Sequence, residues 1–113
     1  MSELGHVYLL HFERPIGRLD NPRAQARHYI GWTAGELDVR LDVHRGGGAD
    51  AARIMAHLAR EGIAWHLVRV WRGDVALKKR IKALKAGNRL CPACAAPGRL
   101  MPLRELAACE VAA

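Results

Sequence analysis

Three short apolar segments with long polar connections constrain the fold of this chain most. They span residues 5–12, 26–33 and 63–71, and they contain the Val, Ile, Tyr and Trp residues typical of strands. The connection between the first two is rich in Pro, Gly, Asp and Asn, which indicates a loop. A loop of this length suits an antiparallel pair of strands but not a tight hairpin.

Helical patterns fill most of the remaining sequence. Residues 36–45 show helical spacing and precede a run of glycines, which ends the helix. A second helix begins with Asp50 as its N-cap and ends at Gly62, and a strongly basic third helix follows Asp74. A last short helix is expected at residues 103–109. The order β-β-α-α-β-α predicts an α/β fold of the α+β type, with one three-stranded antiparallel sheet flanked by helices.

The composition predicts a basic, cytoplasmic domain. Its 113 residues suit a single domain, and a hydrophobic content of 50% excludes a disordered chain. The formal net charge of +7 predicts an anionic partner such as nucleic acid. The sequence contains no apolar run long enough to cross a membrane and no signal-peptide pattern, so no membrane association is expected. The three cysteines cannot all pair, which favours a reducing compartment. The oligomeric state is unknown from sequence.

Four residues then carry a resemblance to a known family. The first predicted strand contains Tyr8, the second contains Tyr29 within Tyr-Ile-Gly, and the following helix carries Arg40 and His44 one turn apart. This ordered set resembles the GIY-YIG nuclease superfamily, above all its small stand-alone members. The similarity covers residues 5–84. It implies an endonuclease that hydrolyses DNA phosphodiester bonds with Mg²⁺ or Mn²⁺ as cofactor.

The resemblance also implies a role for each of these residues. Tyr8 would act as the general base or hold the attacking water, with its pKa lowered by neighbouring cations. Tyr29 would orient water or phosphate from the adjacent strand. Arg40 would grip the scissile phosphate with its planar guanidinium. His44 would be a hydrogen-bond partner of Tyr8 or a proton relay.

Further residues are candidates for contact with nucleic acid. Gly31 would leave room for the substrate backbone, and Trp32 could stack on a base. The third helix presents a basic face to phosphates, although such a run can also be a solvated helix surface. The basic candidates on that helix are Lys78, Lys79, Lys82 and Lys85.

The sequence departs from the family pattern at the metal ligand. The resemblance places a metal-binding glutamate at the position of Lys78, whose charge repels a divalent ion. Asp74, one turn earlier, could substitute as ligand, or it could serve only as the helix N-cap. Three alternatives follow: the chain binds nucleic acid without cutting it, Lys78 replaces the charge of the metal, or the ligand comes from elsewhere.

A Cys-Pro-Ala-Cys segment raises a separate possibility of zinc. Cys91 and Cys94 form half of a tetrahedral Zn²⁺ site, and Cys109 is a candidate third ligand. His57, His66 or a second chain could supply the fourth; free thiols and a redox pair are the alternatives. The chain would then comprise a nuclease-like domain at residues 1–87 and an extension at residues 88–113, packed on the domain or trailing it. A small zinc-stabilised interaction protein is a third functional hypothesis.

Overall fold

The computed structural model describes residues 4–17, 25–46, 48 and 52–102. The elements within this part of the chain are, in order, β1 (Gly5–Gly17), β2 (Gln25–Thr33), α1 (Leu37–Gly46), α2 (Arg53–Glu61), β3 (Trp65–Gly73), α3 (Val75–Ala83) and α4 (Gly87–Leu90). The predicted Asp50 cap, the predicted helix at residues 103–109 and Cys109 lie outside the described residues.

The first strand, β1, is the centre of the sheet. It pairs antiparallel with β2 on one side and with β3 on the other, so the strand order is β2-β1-β3. The predicted α+β class and the three-stranded antiparallel sheet are confirmed. Because β1 is the central strand and a hydrophobic core covers each face of the sheet, its apolar residues 7–10 are buried completely.

The side chains of β1 alternate between two cores on opposite faces of the sheet. Val7 and Leu9 pack with Trp71 and with residues of α3 and α4, and we call this side the α3 face. Tyr8 and Leu10 pack with residues of α1 and α2, and we call this side the α1 face. Each face of a single sheet therefore carries its own hydrophobic core.

Local sequence signals set several element ends. Gly62 follows α2 in the left-handed conformation with φ 68°, as its predicted role as a helix stop requires. At the start of α3, the Asp74 carboxylate accepts a hydrogen bond from the Leu77 N–H at 2.9 Å. Both predicted helix signals are confirmed. The short helix α4 was not predicted, since it lies in a stretch with no helical periodicity.

The described part of the C-terminal segment packs on the α3 face. Leu90 and Cys91 are fully buried there. The Arg69 guanidinium of β3 donates to the carbonyl oxygens of Leu90 at 3.3 Å and Met101 at 3.0 Å. No helix within the described residues is long and apolar enough to cross a membrane.

Candidate functional site

Three aromatic rings meet on the α1 face. Tyr8 comes from β1, Tyr29 from β2 and His44 from α1, where it is buried with Leu41. The ring centroids are 6.2 Å apart for the two tyrosines, 5.9 Å for Tyr8 and His44, and 5.7 Å for Tyr29 and His44. The structure therefore brings together three residues of the predicted catalytic set. We call these three residues the aromatic cluster.

A buried hydrogen bond joins two members of the aromatic cluster. The Tyr8 hydroxyl lies 2.8 Å from Nε2 of His44, and both side chains are fully buried. When the hydroxyl donates to Nε2, the imidazole carries its proton on Nδ1. Nδ1 is buried and has no hydrogen-bond partner among the described residues. The bond to Tyr8 is therefore the only hydrogen bond that the His44 ring makes within the described residues.

The fourth residue, Arg40, acts electrostatically on the aromatic cluster. Burial raises the pKa of Tyr8 to about 12, with a smaller contribution from Tyr29, although hydrogen bonding and charge from Arg40 oppose the rise. Burial, assisted by the charge of Arg40, lowers the pKa of His44 to about 4. Arg40 does lower the pKa of Tyr8, as expected, but burial outweighs it. The pair therefore persists as a neutral phenol and a neutral imidazole at physiological pH.

Gly31 makes room for Tyr8. The two residues face each other across β1 and β2, and a Cβ at position 31 would lie 2.6 Å from Cε2 of the Tyr8 ring. Contact with the Tyr8 ring therefore explains why residue 31 of the Tyr-Ile-Gly segment is glycine. Its predicted contact with a substrate backbone stays a prediction.

Trp32 lies on the opposite side of the sheet. It packs against the core of the α3 face, and its indole N–H donates to the Gly73 carbonyl at 3.0 Å. The side chain is half-buried. Its predicted stacking on a base stays untested.

A basic groove opens beside Tyr29 along the edge strand β2. One cavity, of about 390 Å³, is lined by Tyr29, Lys82 and Lys85 among others. A second, of about 380 Å³, is lined by Arg27, Lys85 and Arg89 among others. The two cavities share Lys85 and the His28 side of β2, so we treat them as one basic groove. The predicted phosphate contacts Lys82 and Lys85 belong to it.

Lys78 and Lys79 line neither cavity of the basic groove. Lys79 is exposed and Lys78 half-buried. Leu77 and Ile81, which surround them in α3, are buried on the α3 face rather than with Tyr8. Asp74, the alternative metal ligand, uses its carboxylate to cap α3. A role of Lys78 at the metal position stays a prediction.

A second cluster, on the α3 face, is formed by His11, His28, Cys91 and Cys94, and we call it the His/Cys cluster. The ligand atoms of these side chains all lie within 4.8 Å of one another, an arrangement that could hold a metal ion such as zinc. The predicted cysteines thus meet two histidines of the sheet. The other candidates lie elsewhere: His66 pairs with the Glu13 carboxylate, and His57 lies in α2.

The two histidines could not be found from local sequence. His11 and His28 are direct partners across β1 and β2, and they form the last regular pair before the register shifts. The sequence signal is only that β1 and β2 each contain a histidine, and this has meaning only when the pairing register is known. Burial, together with the charges of His11 and Arg27, lowers the pKa of His28 to about 4.

No protein-family model, curated protein or solved structure matches this chain.

Proposed function

We propose that this chain is a nuclease that hydrolyses phosphodiester bonds of DNA on the α1 side of the basic groove, as its resemblance to the GIY-YIG superfamily implies. One observation supports the proposal above others. Tyr29, which completes the aromatic cluster with Tyr8 and His44, also lines the cavity that contains Lys82 and Lys85. A phosphate drawn to the two lysines is thereby placed beside a phenol.

The two tyrosines would have different roles. Tyr8 is fully buried, whereas Tyr29 is half-buried and reaches the cavity. We therefore assign contact with the attacking water to Tyr29. The rings of Tyr8 and His44 pack against the Tyr29 ring and position it. The oxygen of the water forms the new bond to phosphorus, and the bond to the leaving oxygen breaks. The water gives its proton to the Tyr29 hydroxyl, a proton passes from Tyr29 by way of the Tyr8 hydroxyl to Nε2 of the neutral His44, and solvent protonates the leaving oxygen.

Charge on the transition state would be balanced by cationic side chains. Arg40 lies close enough to the aromatic cluster to shift the pKa of both Tyr8 and His44. A guanidinium at this place can donate two parallel hydrogen bonds to a phosphate. Lys82 and Lys85 line the same cavity as Tyr29 and add positive charge there.

The donor set does not fit the divalent ion that the resemblance implies. Mg²⁺ and Mn²⁺ prefer carboxylate oxygens. Lys78 stands at the position matched to the family glutamate, and the Asp74 carboxylate caps α3. Within the described part of the chain, the one group of three or more His, Cys, Asp or Glu ligands is the His/Cys cluster. The proposed hydrolysis therefore relies on the cationic side chains and not on a bound divalent ion.

The position of Lys78 favours a second function, binding of nucleic acid without cleavage. Nicking of a supercoiled plasmid by the wild type, Lys78→Glu and Lys79→Glu across a Mg²⁺ titration separates the two. Nicking by the wild type supports the nuclease. Nicking that appears only in Lys78→Glu and only with Mg²⁺ would show that the wild type is a binding protein that has lost its metal ligand. Lys79→Glu controls for the change in charge.

Tyr29→Phe tests the role assigned to Tyr29. It removes one hydroxyl at the basic groove and leaves the ring that packs on Tyr8 and His44. We expect unchanged DNA binding and nicking slower by roughly 10²-fold or more. Full activity in this variant would contradict the proposed chemistry.

A further inference from the structure

The His/Cys cluster has the dimensions of a zinc site. Nδ1 of His11 lies 3.5 Å from each cysteine sulfur and 3.4 Å from Nε2 of His28, and the sulfur of Cys94 lies 3.4 Å from that Nε2. Zinc bonds of about 2.0–2.1 Å to nitrogen and about 2.3 Å to sulfur give a tetrahedron with edges of roughly 3.3–3.8 Å. These four separations fall in that range and the other two are within 4.8 Å, so small shifts of the side chains would let one ion reach all four atoms.

We propose that His11, His28, Cys91 and Cys94 bind one Zn²⁺ as a structural centre that fastens the C-terminal segment to the sheet. Four protein ligands complete a tetrahedron and leave no open position for water or substrate, which is the arrangement of structural rather than catalytic zinc. The His/Cys cluster shares no residue with the aromatic cluster, which lies on the other face of the sheet, although His28 also lines the basic groove.

The charges of the ligands suit a buried ion. Two thiolates carry the charge that neutralises Zn²⁺, and the two imidazoles bind as neutral ligands. Cys91 is fully buried, and the other three residues are half-buried. A neutral cluster can be buried at much lower cost than an uncompensated charge.

The ion would join three parts of the chain that are distant in sequence. His11 belongs to β1, His28 to β2, and the two cysteines follow α4. Leu90 and Cys91 belong to the hydrophobic core of the α3 face, and Cys94 packs against that core. This packing keeps both cysteines on the same face as the two histidines. The centre therefore stabilises the pairing of β1 with β2 and the attachment of the described C-terminal segment together.

Gly87 supports the orientation of His28. A Cβ at position 87 would lie 2.8 Å from Nδ1 of His28, the nitrogen that does not face the cysteines. The close approach of backbone fixes the ring with Nε2 toward the cluster. Gly87→Ala should therefore weaken zinc binding, although it changes no ligand.

Metal analysis of the purified full chain and its variants tests the ligand set. We expect about one zinc per chain in the wild type, and loss of most of it in Cys91→Ser, Cys94→Ser and His28→Asn. Cys109→Ser and His57→Asn, which change the other candidate ligands, should keep the wild-type zinc content. Loss of zinc in Cys109→Ser would overturn the proposed ligand set. A reduced wild type that binds neither Zn²⁺ nor Co²⁺ would overturn the site itself.

A matched pair of substitutions remains informative if the loss variants fail to fold. His11 faces the cluster through Nδ1, the ring nitrogen nearer its backbone, whereas His28 uses the more distant Nε2. The shorter reach of cysteine can replace Nδ1 but not Nε2. We therefore expect His11→Cys to keep zinc, and its Co²⁺ spectrum to gain thiolate charge-transfer intensity. His28→Cys should lose zinc. The reverse result would contradict the proposed geometry.

Discussion

The two faces of the sheet use the same pair of strands to build clusters of opposite character. On the α1 face, the Tyr8 hydroxyl and His44 satisfy each other with a hydrogen bond of 2.8 Å. On the α3 face, two imidazoles and two thiols converge at 3.4–3.5 Å, where they form at best weak hydrogen bonds. The Tyr8–His44 hydrogen bond of the first cluster forms without a ligand. The second brings four ligand atoms within 4.8 Å of one another, an arrangement that suits an ion between them.

Removal of metal should produce the largest effect, and it should act on the α3 face. A chelator under reducing conditions is expected to lower Tm by about 15 °C or more, because a structural ion contributes directly to folding free energy. Thermal melts with and without added Zn²⁺ measure this shift. The same melts on Cys94→Ser should show no further response to the chelator. A wild-type Tm unaffected by chelation would contradict a structural role of the metal, and neither face of the sheet would then depend on a ligand.

Loss of Arg40 should affect catalysis on the α1 face without affecting the metal. Arg40→Ala removes the cation beside Tyr8, and we expect nicking to slow by roughly 10²–10³-fold. Arg45→Ala is the matched control on the same helix, since Arg45 pairs with Asp42 in an exposed contact of 3.1 Å. Single-turnover nicking rates measure both variants. Equal losses in both would indicate that only general positive charge matters.

Tyr8→Phe should reveal how strongly the aromatic cluster depends on its own hydrogen bond. The change leaves Nε2 of His44 buried without the Tyr8 hydroxyl, so we expect a loss of about 1–3 kcal/mol in the free energy of unfolding. Denaturant titration gives this value, and zinc content should stay at the wild-type level. A stability equal to wild type would show that the hydrogen bond adds nothing beyond ring packing.

Gly31→Ala should disturb the aromatic cluster by crowding. The added methyl would lie 2.6 Å from a Tyr8 ring atom, and overpacking of this kind costs about 1–3 kcal/mol. Gly46→Ala, where the added methyl would meet no atom within 4 Å, provides the control and should be neutral or slightly stabilising. Chemical denaturation compares the two. Similar stabilities would mean that Tyr8 moves aside without cost.

The smallest expected effect is that of pH on cleavage. With the pKa of Tyr8 raised to about 12 and that of His44 lowered to about 4, neither group changes protonation between pH 6 and 9. A relay from phenol to neutral imidazole should therefore vary by less than about tenfold over this range. A phenolate base would instead gain about tenfold per pH unit, since its population rises with pH below its pKa. Single-turnover rates at constant ionic strength distinguish the two.

The parts of this fold that are coded locally could be predicted from sequence. Gly62 stops a helix and Asp74 caps one, because each acts on backbone groups within a few residues of itself. The strands and their two tyrosines were found for the same reason. Long-range properties could not be found this way. His11 and His28 are ligand candidates only because β1 and β2 pair in one register, and the high pKa of Tyr8 follows from burial by distant segments.

Because His28 and Tyr29 are adjacent in β2, the proposed metal centre would also fix the register in which β2 pairs with β1. Successive side chains of β2 point to opposite faces, so His28 faces the cysteines while Tyr29 faces His44. A slip of β2 by one residue would exchange the two, and it would place a phenol among the thiols and the His28 imidazole beside His44. Neither cluster could then form. An ion held by His28 would therefore select the one alignment in which Tyr29 is also correctly placed.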